Sequence, residues 1–281
     1  MRTVFMRYPG GKPKALTFSY DDGSVQDKRL AEIFDKYGMK STFNFVSERM
    51  KNSFTKEEIK EIFLSKGHEI AVHGAFHRAN GNITPIEGIT DVLECRLELE
   101  EKCDSIIRGM AYPDSGIEQM GNFGTYEMIK QYLTELDIAY ARTTGDDNSF
   151  MIPADFHAWV PTAHHDNPRI MEYIDQFLKL DISTRVYHAR RIPRLMYIWG
   201  HSSEFDDNGN WEHIEEICEK LANNDEIWYA TNIEIYDYIQ AYKSLRYSAD
   251  GSKVDNPTLF TIWLDVNGSL YSINPGETIR I

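Results

Sequence analysis

The stretch TFSYDDG, residues 17–23, ends a run of apolar side chains on two adjacent carboxylates. With the residues before it, KALTFSY (14–20) reads as a strand buried on both faces. The next segment, DKRLAEIFDKYG, carries Leu30, Ile33, Phe34 and Tyr37 at helical spacing and closes on Gly38. A carboxylate pair at the end of a buried strand is costly unless it is solvated, paired or metal-bound. In parallel α/β folds the carboxyl ends of the strands form one rim, where ligands bind. Adjacent side chains on a strand point to opposite faces, so Asp21 and Asp22 need not share one task.

Outward from this stretch the pattern repeats. STFNFV (41–46) reads as a second strand, and Thr55 with Glu58 forms a capping box for a helix that stops at Gly67. HEIAV (68–72) follows as a strand, then a long helix whose start is marked by Thr84, Pro85 and Glu87. GMAY (109–112), IAYART (138–143), RLMYIWG (194–200) and EIWYA near 226–230 are further strands, with helices between them. Repeated βα units imply a parallel sheet, and their count favours an irregular (β/α)7-type barrel over an eight-unit one. Residues 144–167 show no period and read as a long loop, in which His157, His164 and His165 are expected to be solvated. After about residue 244 the pattern changes to period two. TLFTIWLDV, the turn pair Asn267-Gly268 and SLYSI predict a small antiparallel β appendage over 245–281, beside a catalytic barrel over 1–244.

Two more strand ends carry histidine. In HEIAVHGAFH, His73 and His77 are four residues apart, a spacing that on a helical turn stacks both imidazoles on one face. In MYIWGHSSEF, His201 lies just past an aromatic-rich strand, and Trp199 is placed to wall a sugar-sized pocket. His68, at the opposite strand end, reads as structural. Two histidines and one carboxylate leave open positions on a metal, the pattern of a catalytic rather than a structural site. A second carboxylate and a third histidine could supply base and acid.

Composition narrows the partners. A net charge of −14 and a pI near 5.1 argue against a nucleic-acid footprint. No apolar run approaches the roughly 20 residues that span a bilayer, and MRTVFMRYPGGKPK lacks the apolar core of a secretory signal. Cys95 and Cys103 fall on one predicted helix, about 12 Å apart at 1.5 Å per residue, too far for a disulfide. Free thiols in a cytoplasmic protein are the expectation. The oligomeric state is left open.

TFSYDDG, HGAFH and the histidine after the late strand resemble the polysaccharide deacetylase family, also called carbohydrate esterase family four or the NodB homology domain, over about residues 10 to 240. The resemblance implies an irregular (β/α) barrel and one divalent cation held by Asp22, His73 and His77. Zinc suits that donor set, and cobalt, nickel or iron can occupy it. It also implies Asp21 as general base and His201 as general acid. Hydrolysis of an N-acetyl or O-acetyl group on a carbohydrate would follow, with Tyr112, Pro113 and Trp199 on the substrate side and a backbone N–H near Tyr112 facing the oxyanion. Two departures stand out. GMAYPDSG (109–116) has Ala111 where the family carries an arginine that tunes the base, and Arg108 is out of alignment. The fourth family motif has no clean match, leaving Asp146, Asp147 and Trp159 as candidates to orient His201. Two alternatives remain: hydrolysis of small cyclic amides on the same fold, and a weakened carbohydrate-binding relative. An Fe(II) oxygenase triad is disfavoured by the barrel pattern and the acidic pair.

Overall fold

The computed structural model describes residues 3–51, 53–118, 125–182 and 191–281. Strand β1 (Val4–Arg7) precedes the long strand β2 (Lys14–Asp22). Helix α1 (Asp27–Tyr37) leads to β3 (Ser41–Phe45) and the short α2 (Ser47–Met50). Helix α3 (Lys56–Glu58) runs on through a π turn and a 3-10 turn to Lys66, followed by β4 (Glu69–Val72). Next come α4 (Pro85–Cys103), β5 (Gly109–Ala111), α5 (Tyr126–Glu135), β6 (Tyr140–Arg142), β7 (Ala163–His164) and α6 (Ile170–Lys179). The barrel ends with β8 (Arg194–His201), α7 (Ser203–Asp207), α8 (Trp211–Leu221), β9 (Ile227–Tyr229) and α9 (Asn232–Lys243).

Local chemistry sets these limits. Both capping boxes predicted from sequence are present, Thr55 with Glu58 and Thr84 with Glu87. Gly38 and Gly67 end their helices in the left-handed conformation, where lack of a Cβ removes the penalty. Helix α6 starts at Ile170, after a turn in which the Asn167 side-chain carbonyl accepts from the Arg169 amide.

All pairings in the main sheet are parallel, in the order β6-β5-β4-β3-β2-β8-β7, with β9 on β2. The fold is the irregular (β/α)7-type barrel that the sequence implied. Its irregularity has two sources. β8 pairs along Lys14–Asp21 of β2, so the other edge of β2 is divided between β9 at Lys14–Leu16 and β3 from Phe18 onward. On the far side, the segment read as one long loop enters the wall. The Trp159 amide donates to Ala141 and its carbonyl accepts from Thr143, while Thr162 and His165 donate to Tyr197 and Trp199 of β8. One turn of chain thus joins β6 to β8.

Side-chain alternation divides the barrel's two faces. Leu16, Phe18 and Tyr20 of β2, Phe43 and Phe45 of β3, Ile70 and Val72 of β4, and Met196 and Ile198 of β8 pack under the helices. Burying each such side chain contributes about 1.5–3 kcal/mol. The opposite parity faces the barrel axis and is largely polar: Thr17, Ser19 and Asp21, Thr42 and Asn44, His73, Arg142, and His201. The floor is closed by α9. Asn232 at its start bonds Thr17, Thr42 and Tyr197, and Glu69 accepts from Thr42, Tyr140 and the Ile233 amide. These bonds satisfy the floor and leave the rim for chemistry.

The C-terminal segment forms β10 (Arg246–Tyr247), β11 (Lys253–Asp255), β12 (Ile262–Val266), β13 (Ser269–Ile273) and β14 (Thr278–Arg280). β12 and β13 make a hairpin across Asn267-Gly268, and β10-β11-β14 form a second small antiparallel sheet. β1 pairs with β12, so the first and last parts of the chain share one sheet. Among the described residues, no helix is long and apolar enough to cross a membrane.

Candidate active site

Asp21 is the deepest group on the rim. It is in register with Asn44 on one side and His201 on the other. Asn44 donates to its Oδ1 at 2.8 Å, and the guanidinium of Arg142 donates to its Oδ2. Arg142 is itself fully buried and stacks over Trp199, 4.4 Å from the ring centre. Burial pushes the Asp21 carboxyl up, but Arg142, with His73 and His201, outweighs it and holds the group below the usual carboxylate range. The arginine that the sequence lacks at Ala111 is supplied by the next strand over. Ala111 and Arg142 are register partners, so a β6 side chain fills the space that a β5 side chain was expected to fill.

Asp22 would face the helices if β2 continued straight. Instead its φ is 85°, a left-handed value rare outside glycine, and the turn brings its carboxylate back over the rim. Backbone in this region costs of order 1–3 kcal/mol and marks a site held for a purpose. Asp22 Oδ1 lies 3.4 Å from His77 Nε2 and 3.8 Å from His73 Nε2. The His73–His77 pair is not on a helical turn, as the spacing suggested. It spans a loop pinned by Asp91 of α4, which accepts from the Phe76 amide while its carbonyl accepts from Ala75. A side chain at Gly74 would meet the Asp91 carboxylate at 2.4 Å, so glycine is required at this tight bend.

These three residues fit a divalent cation. Their ligand atoms lie within 4.8 Å of one another. His73 Nδ1 is 2.9 Å from the Ala111 carbonyl, which fixes the proton there and turns the Nε2 lone pair to the cluster, the usual second partner of a metal-bound imidazole. Asp22 Oδ1 is buried without a hydrogen bond, and Arg49 stands 2.6 Å away as an ion pair only.

His201 completes the rim. Burial disfavours its protonation, yet Glu204, through a hydrogen bond and its charge, and Asp21 raise its proton affinity above the ordinary value. Glu204 Oε1 is 3.4 Å from His201 Nδ1, and its other oxygen accepts the His201 amide. Neither Asp146 nor Trp159 reaches His201. Asp146 accepts from the Trp199 indole and the His164 amide, and Trp159 is buried against Tyr140, Phe156 and Tyr197. Asp147 caps the Ser149 amide.

A cavity of about 190 Å³ joins Asp21, His73, His77, Tyr112, Asp114, Thr144, Trp199 and His201. Tyr112 and Trp199 line it as expected, whereas Pro113 is buried beside it and does not. The Tyr112 amide donates to the Arg142 carbonyl and is not free for an oxyanion. Arg142, Asn44 and Glu204 escaped the sequence reading. Arg142 and Asn44 did carry a signal, since each is a polar residue at an inward position of an apolar strand.

The polysaccharide deacetylase family model matches residues 6–120, which include β2, both histidines and β5. No curated protein matches the chain. Solved structures of similar fold include a candidate polysaccharide deacetylase of Mycobacterium smegmatis, at 17% identity and TM-score 0.60, covering 86% of this chain and 95% of that one. A second, from Pseudomonas aeruginosa PAO1, is 16% identical at TM-score 0.58, covering 82% and 92%. PuuE allantoinase is 14% identical at TM-score 0.58, covering 82% and 91%. The family model thus covers the part of the chain that carries Asp21, Asp22, His73 and His77, and the solved structures share the fold of most of the chain.

Proposed function

We propose that the protein is a metal-dependent hydrolase that removes acetyl groups, on nitrogen or oxygen, from a carbohydrate. The observation that carries this reading is the meeting of Asp21, His73, His77 and His201 around one small cavity, with Asp22 against the His73–His77 pair and Arg142 on Asp21. Asp22, His73 and His77 hold the cation. When bound there, a divalent cation supplies Lewis-acid polarisation of the acetyl carbonyl and acidifies water. Asp21, kept ionised by Arg142 and Asn44, takes the proton of the attacking water. His201, its proton held by Glu204, gives it to the departing amine or alcohol. Trp199, tethered through its indole to Asp146, offers a flat wall for a sugar ring.

The test is acetate release from N-acetylglucosamine oligomers and acetylated xylan by metal-stripped protein resupplied with Zn²⁺ or Co²⁺. Metal-restored release supports the reading, and its absence with the cation still bound overturns it. A second reading, hydrolysis of a small cyclic amide, is favoured by the modest cavity and the fold shared with PuuE allantoinase. Hydantoin-type compounds assayed beside the acetylated sugars separate the two.

A further inference from the structure

Behind His201 the chain carries a second cluster of metal-type side chains, of which the reaction above uses only Glu204. The backbone at Ala163–His164 pairs with β8, and His165 follows with its amide on the Trp199 carbonyl at 2.8 Å. Its imidazole is completely buried, stacked between Tyr20 and Phe205 at 5.7 and 4.3 Å between ring centres. Nδ1 abuts Gly200, where an added Cβ would lie 1.9 Å away, so Nε2 is the atom turned outward from the stack. Nε2 lies 3.4 Å from Asp166 Oδ1 and 3.5 Å from Glu204 Oε2. His164 Nε2 is 3.2 Å from the same Glu204 oxygen.

The contacts do not read as a hydrogen-bonded cluster. Neither ring nitrogen of His165 has a hydrogen bond. Leaving a buried polar group unpaired is costly, and an ion at the site is one of the few explanations native proteins offer. Among the described residues neither Asp166 nor Glu204 has a lysine or arginine ion-pair partner; both face imidazoles. Asn208 ties Asp166 Oδ2 at 3.1 Å, leaving Oδ1 aimed at His165.

We propose that His165, Asp166 and Glu204 form a second site for a late first-row divalent cation, apart from Asp22, His73 and His77. Ligand atoms of these three and of His164 lie within 4.8 Å of one another, and the imidazole–carboxylate set suits zinc or its neighbours. His164 Nδ1 accepts the Asp166 amide at 3.1 Å, so His164 becomes a fourth ligand only when that bond opens. The three-ligand set stands without it.

The experiment is calorimetric titration of the metal-stripped full chain with Zn²⁺, with Co²⁺ absorption as a check on ligand geometry. Wild type should take two equivalents. His165→Phe, which keeps the aromatic stack, should take one, and Asp166→Asn should weaken one step at least tenfold. His77→Ala should lose the other equivalent and keep this one, so failure of the proposed catalytic centre shows in a different variant. Two equivalents undisturbed in both His165→Phe and Asp166→Asn overturn the proposal, as does a single wild-type equivalent that His77→Ala removes. Thermal unfolding confirms that His165→Phe is folded, and Asp166→Asn decides the matter if it is not.

Discussion

Asp21 shows how one carboxylate is kept ready in a dry site. Two opposed influences act on it, burial and the charge of Arg142, and the second prevails. Asp21→Asn should therefore lower turnover by about 10²–10⁴-fold while leaving cation stoichiometry unchanged; calorimetry beside the acetate assay reads both. Arg142→Gln removes the charge that holds the carboxyl down, so the acid limb of kcat/KM should move to higher pH, with Arg142→Lys restoring part of the shift. The buried pair is also broken, which costs about 3–5 kcal/mol in urea unfolding. An unshifted acid limb in Arg142→Gln would show that Arg142 serves packing alone. At this scale the sequence was most readable where polar side chains end apolar strands. Asp21, Asp22, His73, His77 and His201 all announce themselves that way. Arg142 also ends an apolar strand, but its role was not readable there, because its partner lies 121 residues back and only the β5–β6 register reveals the exchange with Ala111.

Elements were legible where local chemistry decides them. Capping boxes fixed the starts of α3 and α4, and glycine stops fixed the ends of α1 and of the run that continues α3. The wall at Trp159 to His165 was not legible, since a single bridge residue and a two-residue strand carry no period. Burial of His165 there contradicts the solvated loop expected for it. At the floor, Glu69 joins β3, β4, β6 and α9. Burial raises its pKa to about 7 against three donated hydrogen bonds. A carboxyl raised in the folded state binds a proton that the unfolded chain has already lost, so stability is full below about 4.5 and falls as pH rises to about 7. The loss is at most about 3 kcal/mol. Glu69→Gln should flatten melting temperature across that window, while lowering stability throughout because its amide N–H faces donors. A slope that survives the substitution would assign it to another group.

Across the whole molecule, β1 on β12 binds the chain's first strand to its last sheet, and the Tyr238 hydroxyl donates to the Arg7 carbonyl while accepting from the Trp263 amide. Arg7 and Arg191 both pair with buried Asp265. Ala15, Tyr197, Tyr238, Ile262 and Leu264 share one apolar cluster that runs from the barrel into these strands. We propose that residues 245–281 act as a part of the barrel's core rather than as a detachable module. Truncation after residue 244 should lower the melting temperature sharply and expose apolar surface to a hydrophobic dye. A truncated chain that melts like the full one would mark 245–281 as an independent unit.

The register of β2 with β8 puts Asp21 beside His201, so the gap between the proposed base and acid is a sheet spacing, about 4.8 Å at the backbone, and not a loop length. A sheet spacing is the same in every such fold and does not drift when loops are rewritten. Descendants of this chain could lengthen, shorten or replace the segments around Thr144 or Asp114 and meet new substrates, with the proton-transfer pair inherited intact. Diversification here would be a matter of the rim's borders, never of its centre.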